Sequence, residues 1–454
     1  MASTFFGLTI AYSGLQAANT SLTITGHNVS NINTKGYTKQ QAGTQAADAL
    51  RTHTTYGAIG SGVVVTEISQ IRDSYYDVKY RNNMANYGQY SVKESYMGQI
   101  EDYLDEFTLN GYSQEYKNFF SAVNQLTITP GDTSAKNQLI NNAKSLADYF
   151  NTLTTNLRNV QADANNEIKD AVQQINSYAK NIAALNRQIN QIEANYGNAN
   201  DLRDKRNAMI DELSEIVNLE TSEEDMGNNV SNFSVRINGQ TLVSSYSYNT
   251  LETVARTDKK NYSDAEGLYD VQWNSGQKFD MYSTSLSGHL KGLIDIRDGN
   301  NGEHENIETD DDGNNVTDSD GNLVLTTAPA ADKTVSYKGV PYYQAQLNEF
   351  AKIFSDAVNK IMKSGYTSDG SSKGISLFVT QPNTTVMSAG NITVNPELLK
   401  NADLLAIKKE QNDGESDAKI MEELNKLQSE KIFAGGTGSY FLESIVSDLS
   451  LIHI

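Results

Sequence analysis

The sequence predicts an α+β fold of elongated form, in which long coiled-coil-like helices in the terminal and core segments carry an inserted β-rich outer domain. Four observations predict it. Leu8, Leu15, Leu22 and Val29 recur every seven residues, and Ala11, Ala18, Thr25 and Ile32 follow each by three. That is a heptad stripe built to lie against another helix. Ile168, Ile175, Ile182 and Ile189 repeat the period, with Ala171, Tyr178, Leu185 and Ile192 three residues on. From about Met226 the period falls to two, where Phe233, Val235 and Ile237 alternate up to Asn238-Gly239, a hairpin signal. Finally, the five prolines are Pro130, Pro329, Pro341, Pro382 and Pro396, so no proline interrupts the heptad regions.

The elements follow in order. The N-terminal helix runs into the polar loop Asn28-Val29-Ser30-Asn31-Ile32-Asn33-Thr34-Lys35-Gly36-Tyr37. Asn and Gly tolerate left-handed backbone, so a C-cap and loop is the simplest local reading. An apolar pattern of Met97, Ile100, Tyr103, Leu104 and Phe107, then Phe119, Phe120, Val123 and Leu126, predicts helix up to Pro130-Gly131-Asp132. The longest helix is predicted from about Ala135 to Ala194. Leu146, Leu153 and Val160 hold one line there and Phe150, Leu157 and Ala164 the other. The first line slips by one residue between Val160 and Ile168, which predicts a change of partner or a break near Asp163–Asn166. Unbroken, about sixty residues at ~1.5 Å each span roughly 90 Å. Asn200 to Val217 reads as a further helix, and its run Asp201-Leu202-Arg203-Asp204-Lys205-Arg206 as a solvated, ion-paired face. Tyr269, Val271 and Trp273 alternate, followed by Phe279 and Met281. Pro341 suits a helix first turn, and Leu347, Phe350, Phe354, Val358 and Ile361 give that helix its apolar face before Gly365 closes it.

Composition narrows the function. The 454 residues suffice for roughly two to four domains. A net charge of −20 and a pI near 4.7 argue against nucleic acid and anionic membrane surfaces as partners. The acidity is most simply a matter of solubility. With no cysteine, thiol catalysis, disulfides and Cys-ligated zinc are excluded. No stretch approaches the roughly 20 apolar residues of a membrane span, and residues 1–30 carry no cleavable signal. His27, His53, His289, His304 and His453 form no zinc pair, and His304-Glu305 has no second histidine at the required spacing. Asp310-Asp311-Asp312-Gly313 and Asp318-Ser319-Asp320-Gly321 lack a bidentate acid at the twelfth position of a calcium loop, so acidic hairpin turns are expected and neither metal nor cofactor.

The Asn28–Tyr37 motif, following its heptads, resembles the N-terminal motif of the bacterial flagellar axial proteins, the rod, hook and hook-associated proteins. Gly60-Ser61-Gly62-Val63 continues the resemblance, as do Asn200-Asp201-Leu202-Arg203-Asp204-Lys205-Arg206 with Asp211-Glu212-Leu213. Further matches are Gly288-His289-Leu290-Lys291-Gly292-Leu293 with Arg297-Asp298, Pro341-Tyr342-Tyr343 with Gln346-Leu347-Asn348, and Val394-Asn395-Pro396. It covers nearly the whole chain apart from acidic residues 300–335. The Asn-Asp-Leu-Arg-Asp and Leu-Lys-Gly-Leu runs place it with the hook-associated proteins and apart from hook and rod proteins. The C-terminus departs from the pattern. The family ends in a long helix paired with the N-terminal one, whereas this chain stops soon after Asp448-Leu449. Leu449-Ser450-Leu451-Ile452-His453-Ile454 matches a translated sequencing-adaptor end, so a truncation is expected there.

The resemblance implies five segments: 1–65 for axial assembly, a helical core over 66–225, a β-rich insertion over 226–340, a return to the core over 341–448, and a non-native tail at 449–454. It implies a non-enzymatic junction between hook and filament, acting by self-assembly into an axial ring. Leu8, Leu15, Leu22, Val29, Asn28, Asn31, Asn33, Thr34, Gly36 and Tyr37 would form the axial interface. Its partners would be copies of itself, the hook protein, a second hook-associated junction protein and an export chaperone reading the absent C-terminal region. Its place would be the extracellular flagellum, reached through the flagellar export apparatus. Before assembly the N-terminal stripe has no partner in the chain, so residues 1–40 are expected to be mobile. The alternatives are a hook or rod protein and, in another class, an exported cell-wall hydrolase using carboxylates such as Glu303 and Glu305.

Overall fold

The computed structural model describes residues 5–51, 57–104, 111–301, 303–307, 325–329, 335–382, 384–414, 416–433 and 436–453. Its helices are α1 (Phe6–Ser30), α2 (Ser74–Leu104), α3 (Tyr112–Ile128), α4 (Thr133–Glu193), α5 (Asn200–Ile216), α6 (His289–Asp298), α7 (Val340–Ser364), α8 (Pro396–Lys400), α9 (Lys419–Leu427) and α10 (Gly438–His453). Long helices with several small antiparallel sheets make this an α+β fold. The chain divides into two compact units. The first is residues 1–89, 170–253 and 271–291, and the second 90–169, 254–270 and 292–454.

Helix α4 is unbroken over 61 residues. The alternative break near Asp163–Asn166 does not occur. At the slip in the heptad line the helix buries a polar residue instead. Gln161 is fully covered, and its amide donates to the Asp264 carboxylate at 2.8 Å and to the Arg297 carbonyl at 2.9 Å. A satisfied amide can occupy a core line where an unpaired one could not.

In the first unit, Ile175, Ile182 and Ile189 on α4 are completely buried, as are Ile210 and Leu213 on α5. A four-stranded antiparallel sheet belongs to this unit, with strands Leu219–Asp225, Ser231–Ile237, Gln240–Ser244 and Ser247–Tyr248 in that order. Phe233, Val235, Ile237, Leu242 and Val243 are its buried residues. The predicted Asn238-Gly239 turn joins the second and third strands with φ of +48° and +74°, the left-handed pair that a two-residue hairpin requires. Amides on α4 hold strand edges: Asn186 donates to the Ser245 carbonyl at 2.9 Å, and Asn190 accepts from the Ser231 N–H at 3.0 Å. The alternating region differs from its sequence reading in two ways. Pairing begins at Leu219, because Glu220, Glu223 and Glu224 sit on an edge strand where carboxylates stay wet. Helix α6 then interrupts the strands, since Leu290, Leu293, Ile294 and Ile296 supply a helical apolar period.

In the second unit, an aromatic cluster links α3, α4, α7 and α10. Phe350 stacks on Phe433 with ring centres 5.0 Å apart, and Phe119 meets Phe354 edge-on at 5.6 Å. Pro341 occupies the first turn of α7 and Gly365 follows its end, as the sequence predicts. The unit also buries a charged group. Arg297 is wholly covered and donates to Asn165, the Tyr269 carbonyl and Asp298, while Arg256 grips the same Asp298 carboxylate with both terminal nitrogens at 2.7 and 2.9 Å. Burial pushes the Asp298 carboxyl up, but the two guanidiniums outweigh it and hold it well below the usual carboxylate range. Its contribution to stability is therefore full above the unfolded pKa near 4 and lost as acid drives pH down through the folded value. Asp298→Asn is expected to cost about 3 kcal/mol at pH 7 by leaving two buried cations short of an anion. A urea midpoint equal to that of the parent chain would show the cluster to be dispensable.

Phe107, His53 and the aspartates of 310–320 lie outside the described residues. Glu303 and Glu305 fall on a strand, Glu303–Ile307, paired with Leu325–Pro329. No helix among the described residues is long and apolar enough to cross a membrane, and no group of three or more potential metal ligands occurs among them.

Candidate functional site

Helix α1 has two apolar faces, and the fold uses one. Ala17 and Ile24 are buried, 9% and 7% exposed. They lie on the antiparallel hairpin formed by Gln40–Ala46 and Val63–Gln70. Ser13 is on the same face, and its hydroxyl accepts the Val63 N–H at 3.2 Å. At 100° per residue, Ala17 and Ile24 lie about 200° round the helix from Leu15 and Leu22. Leu8, Leu15, Leu22 and Val29 are consequently 65%, 58%, 71% and 64% exposed, and Ile32 just past the helix end is 77% exposed. The second predicted line, Ala11, Ala18 and Thr25, is exposed too. Monomers rarely expose so continuous an apolar stripe without using it. The hairpin gives α1 a partner within the chain on the face opposite the leucines, while the leucine stripe itself stays uncovered, as expected.

The polar loop after α1 folds through its own side chains. Asn28 acts as a piece of strand edge: its amide N–H donates to the Gln40 carbonyl at 2.9 Å, and its amide oxygen accepts the Gln40 N–H at 2.9 Å. The same oxygen accepts the Tyr37 hydroxyl at 2.7 Å. The single Tyr37 proton is thus used, so His27 Nδ1, 2.9 Å away, must be the donor to the Tyr37 oxygen. Asn31 donates to the His27 carbonyl at the helix end, and Thr34 donates to the Asn31 oxygen. Asn33 is exposed. Asn28, Asn31, Thr34 and Tyr37 therefore have positioning work inside the chain, whereas the leucine stripe and Asn33 face outward.

The loop is carried by α5. The Thr38 N–H donates to Asp204 at 3.0 Å, Gln40 to Asp201 at 3.2 Å, and Lys35 pairs with Glu212 at 3.1 Å. Gly36 is at φ +81°, and a Cβ there would stand 2.9 Å from the Ala208 Cβ. Left-handed backbone and lack of room both demand glycine. Gly36→Ala is expected to cost about 1–2 kcal/mol and to raise hydrogen exchange over 31–40 first. Unchanged exchange in that loop would mean it does not depend on the α5 contact.

The run 201–206 is ion-paired as expected, but it is solvated only at Asp201 and Lys205, and in that respect the expectation is corrected. Asp204 and Arg206 are buried at 6% and 2% exposure. The Arg206 guanidinium lies 3.7 Å from the Phe233 ring centre, donates to Asn186 and pairs with Glu223 at 3.2 Å. Burial pushes it down to about 10, only partly offset by Glu223. Arg203 forks onto Glu193 at 2.7 and 2.8 Å and reaches Glu223 at 2.9 Å. Its ion pairing was foreseeable, but its burial was not, since the covering groups come from α4 and the sheet. On the outward face of α2, Tyr75, Tyr76, Tyr80 and Tyr87 are all more than half exposed.

Residues 97–378 match the family of the flagellar hook-associated protein FlgK helical domain. The flagellar hook-associated protein 1 of Bacillus subtilis (strain 168) is 27% identical over 390 residues, covering 82% of this chain and 70% of that one. The protein of the same name from Salmonella typhimurium is 33% identical over 219 residues, 48% of this chain and 39% of that one. The Escherichia coli K12 protein of that name is 32% identical over the same length, spanning 40% of its own. Among solved structures, the flagellar hook junction protein FlgK from Burkholderia pseudomallei aligns with a TM-score of 0.50 at 23% identity. That alignment covers 66% of this chain and 46% of that one, and it shows a shared fold.

Proposed function

Because this chain belongs to the flagellar hook-associated FlgK helical-domain family, we propose that it is a structural junction between the hook and the filament of the bacterial flagellum. It acts by packing against identical neighbours around the axis. The observation that carries this is the leucine stripe of α1. The helix is anchored by Ala17 and Ile24, and its regular Leu8–Leu15–Leu22–Val29 face is left bare. A stripe with heptad spacing fits another helix and little else. A ring requires a heterologous contact that closes on itself, and a second copy of the chain supplies both halves. The axial interface proposed is this stripe with Asn33 at its end. Asn28, Asn31, Thr34, Gly36 and Tyr37 hold the loop that follows it.

The remaining partners are the hook protein on one side, a second hook-associated protein on the other, and an export chaperone before secretion. The protein works outside the cell, after passage through the flagellar export apparatus. It is not an enzyme. Purified chain incubated with peptidoglycan is expected to release no soluble fragments above a buffer control, and release would favour a hydrolase. Deleting the gene in its source bacterium tests the reading directly. The expected cells carry hooks without filaments, shed flagellin into the medium and do not swim. Filaments of normal length on such cells would refute the junction role.

A further inference from the structure

We infer that the tyrosine face of α2 is a second lateral contact between copies of this chain, seated in a carboxylate-lined groove of the neighbouring copy. The inference rests on the self-assembly reading above and adds a surface to it.

Helix α2 is docked on one side only. Arg81, Ala85 and Gly88 are buried, and Arg81 pairs with Asp211 on α5 at 2.8 Å. Tyr76, Tyr80 and Tyr87 lie on the other side within about 40° of one another at 100° per residue, and are 67%, 51% and 62% exposed. Tyr75 is 59% exposed, with the Lys79 ammonium 4.5 Å from its ring centre. Tyrosine combines a large rigid area with a polar tip and is enriched where proteins meet. Scattered exposed tyrosines are ordinary, whereas a row of them along one helix face marks an interaction surface.

Charge selects the occupant. The chain carries −20 overall, yet residues 78–89 contain no aspartate or glutamate, and Lys79 is their exposed cation, Arg81 being turned inward onto Asp211. Two copies carrying −20 each repel on average, and an exposed face with a cation and no carboxylate is where that repulsion is least. Its complement is present in the same unit. A groove of about 600 Å³ is lined by Glu67, Glu193, Tyr196, Glu223 and Asp225, together with Arg203. Glu193 and Glu223 are engaged by Arg203, whereas Glu67 and Asp225 form no ion pair among the described residues. Tyr196 stands 90% exposed at φ +60° beside them. Tyrosine hydroxyls donate to carboxylates, and Lys79 supplies the cation. Face and groove are different patches of one unit, so their contact is head-to-tail, the type that closes into a ring.

The test places the photo-crosslinking residue p-benzoylphenylalanine at Tyr87 in the otherwise native chain, mixed with ¹⁵N-labelled chain to separate links between copies from links within one. The expected result is a link between copies into the peptides holding Glu193–Asn198 or Glu223–Ser231. Lys79→Glu should reduce its yield at least fivefold, and adding Glu67→Lys should restore it. Both sites are exposed, so an unchanged melting curve confirms that the fold is intact. Links from Tyr87 to α2 of the other copy, links within one chain only, or no link at all would each overturn the inference. Repeating the experiment with Leu15→Asp and Leu22→Asp separates the two surfaces. A persisting link supports the groove contact even if the axial stripe is misassigned. Its loss in that background would show that α2 has no contact of its own.

Discussion

Full-length protein carrying both Leu15→Asp and Leu22→Asp is expected to fold normally and fail completely in assembly. Both side chains are more than half exposed on the face of α1 that points away from the hairpin. Exposed substitutions of this kind change stability by about 0.5 kcal/mol or less, so the melting temperature should move by no more than a few degrees. In an assembled axial interface the same two charges would lose water without gaining partners, at several kcal/mol each. Cells producing only this variant should export it, build hooks, release flagellin and remain non-motile. The control is Ile24→Asp, on the docked face. It should instead lower the melting temperature, because Ile24 is 7% exposed against the hairpin. If the double variant supported normal filaments, the leucine stripe would not be the axial contact. If it unfolded, the stripe would already be serving the monomer.

The second large effect concerns the core of the first unit. Ile175→Asp or Ile182→Asp is expected to destabilise the chain by about 4–5 kcal/mol, a large fraction of the stability of an ordinary domain. Both isoleucines are completely buried on α4. The substitution removes an apolar side chain and introduces a carboxylate that must either ionise without a partner or take up a proton. Ile182→Val, which removes one methylene in place, should cost only about 1 kcal/mol. Chemical denaturation followed by circular dichroism reads all three. The order Val, then Asp far below it, identifies the position as packed core. An Asp variant melting within a degree of the parent would place this face in solvent.

Several features were legible from residue order alone because they depend on residues near one another in the chain. The length of α4, its heptad line, the Asn238-Gly239 hairpin and the Pro341-to-Gly365 limits of α7 are local. Each follows from a period, a ring or a left-handed residue. The Asn28–Tyr37 motif was likewise recognisable, but its residues divide in the structure. Asn28 and Tyr37 are spent on Gln40 and His27, while Asn33 faces outward. No spacing rule separates those roles, because the Gln40 backbone reaches Asn28 only once the hairpin has formed.

The sequence by itself determined that α1 has a face requiring a partner, and which leucines make it. A hydrophobic period states that a surface must be covered and leaves open which molecule covers it. Only the tertiary structure decided that the hairpin covers Ala17 and Ile24 and leaves Leu8, Leu15, Leu22 and Val29 bare. The charged run 201–206 shows the same limit from the polar side. Its alternating signs read as a wet helix face, yet Arg206 is buried because Phe233, Asn186 and Glu223 close over it from other elements. A charge can be buried only where distant residues bring its partners. Burial of charge is therefore a property of the assembled fold, whereas period and turn chemistry belong to the chain.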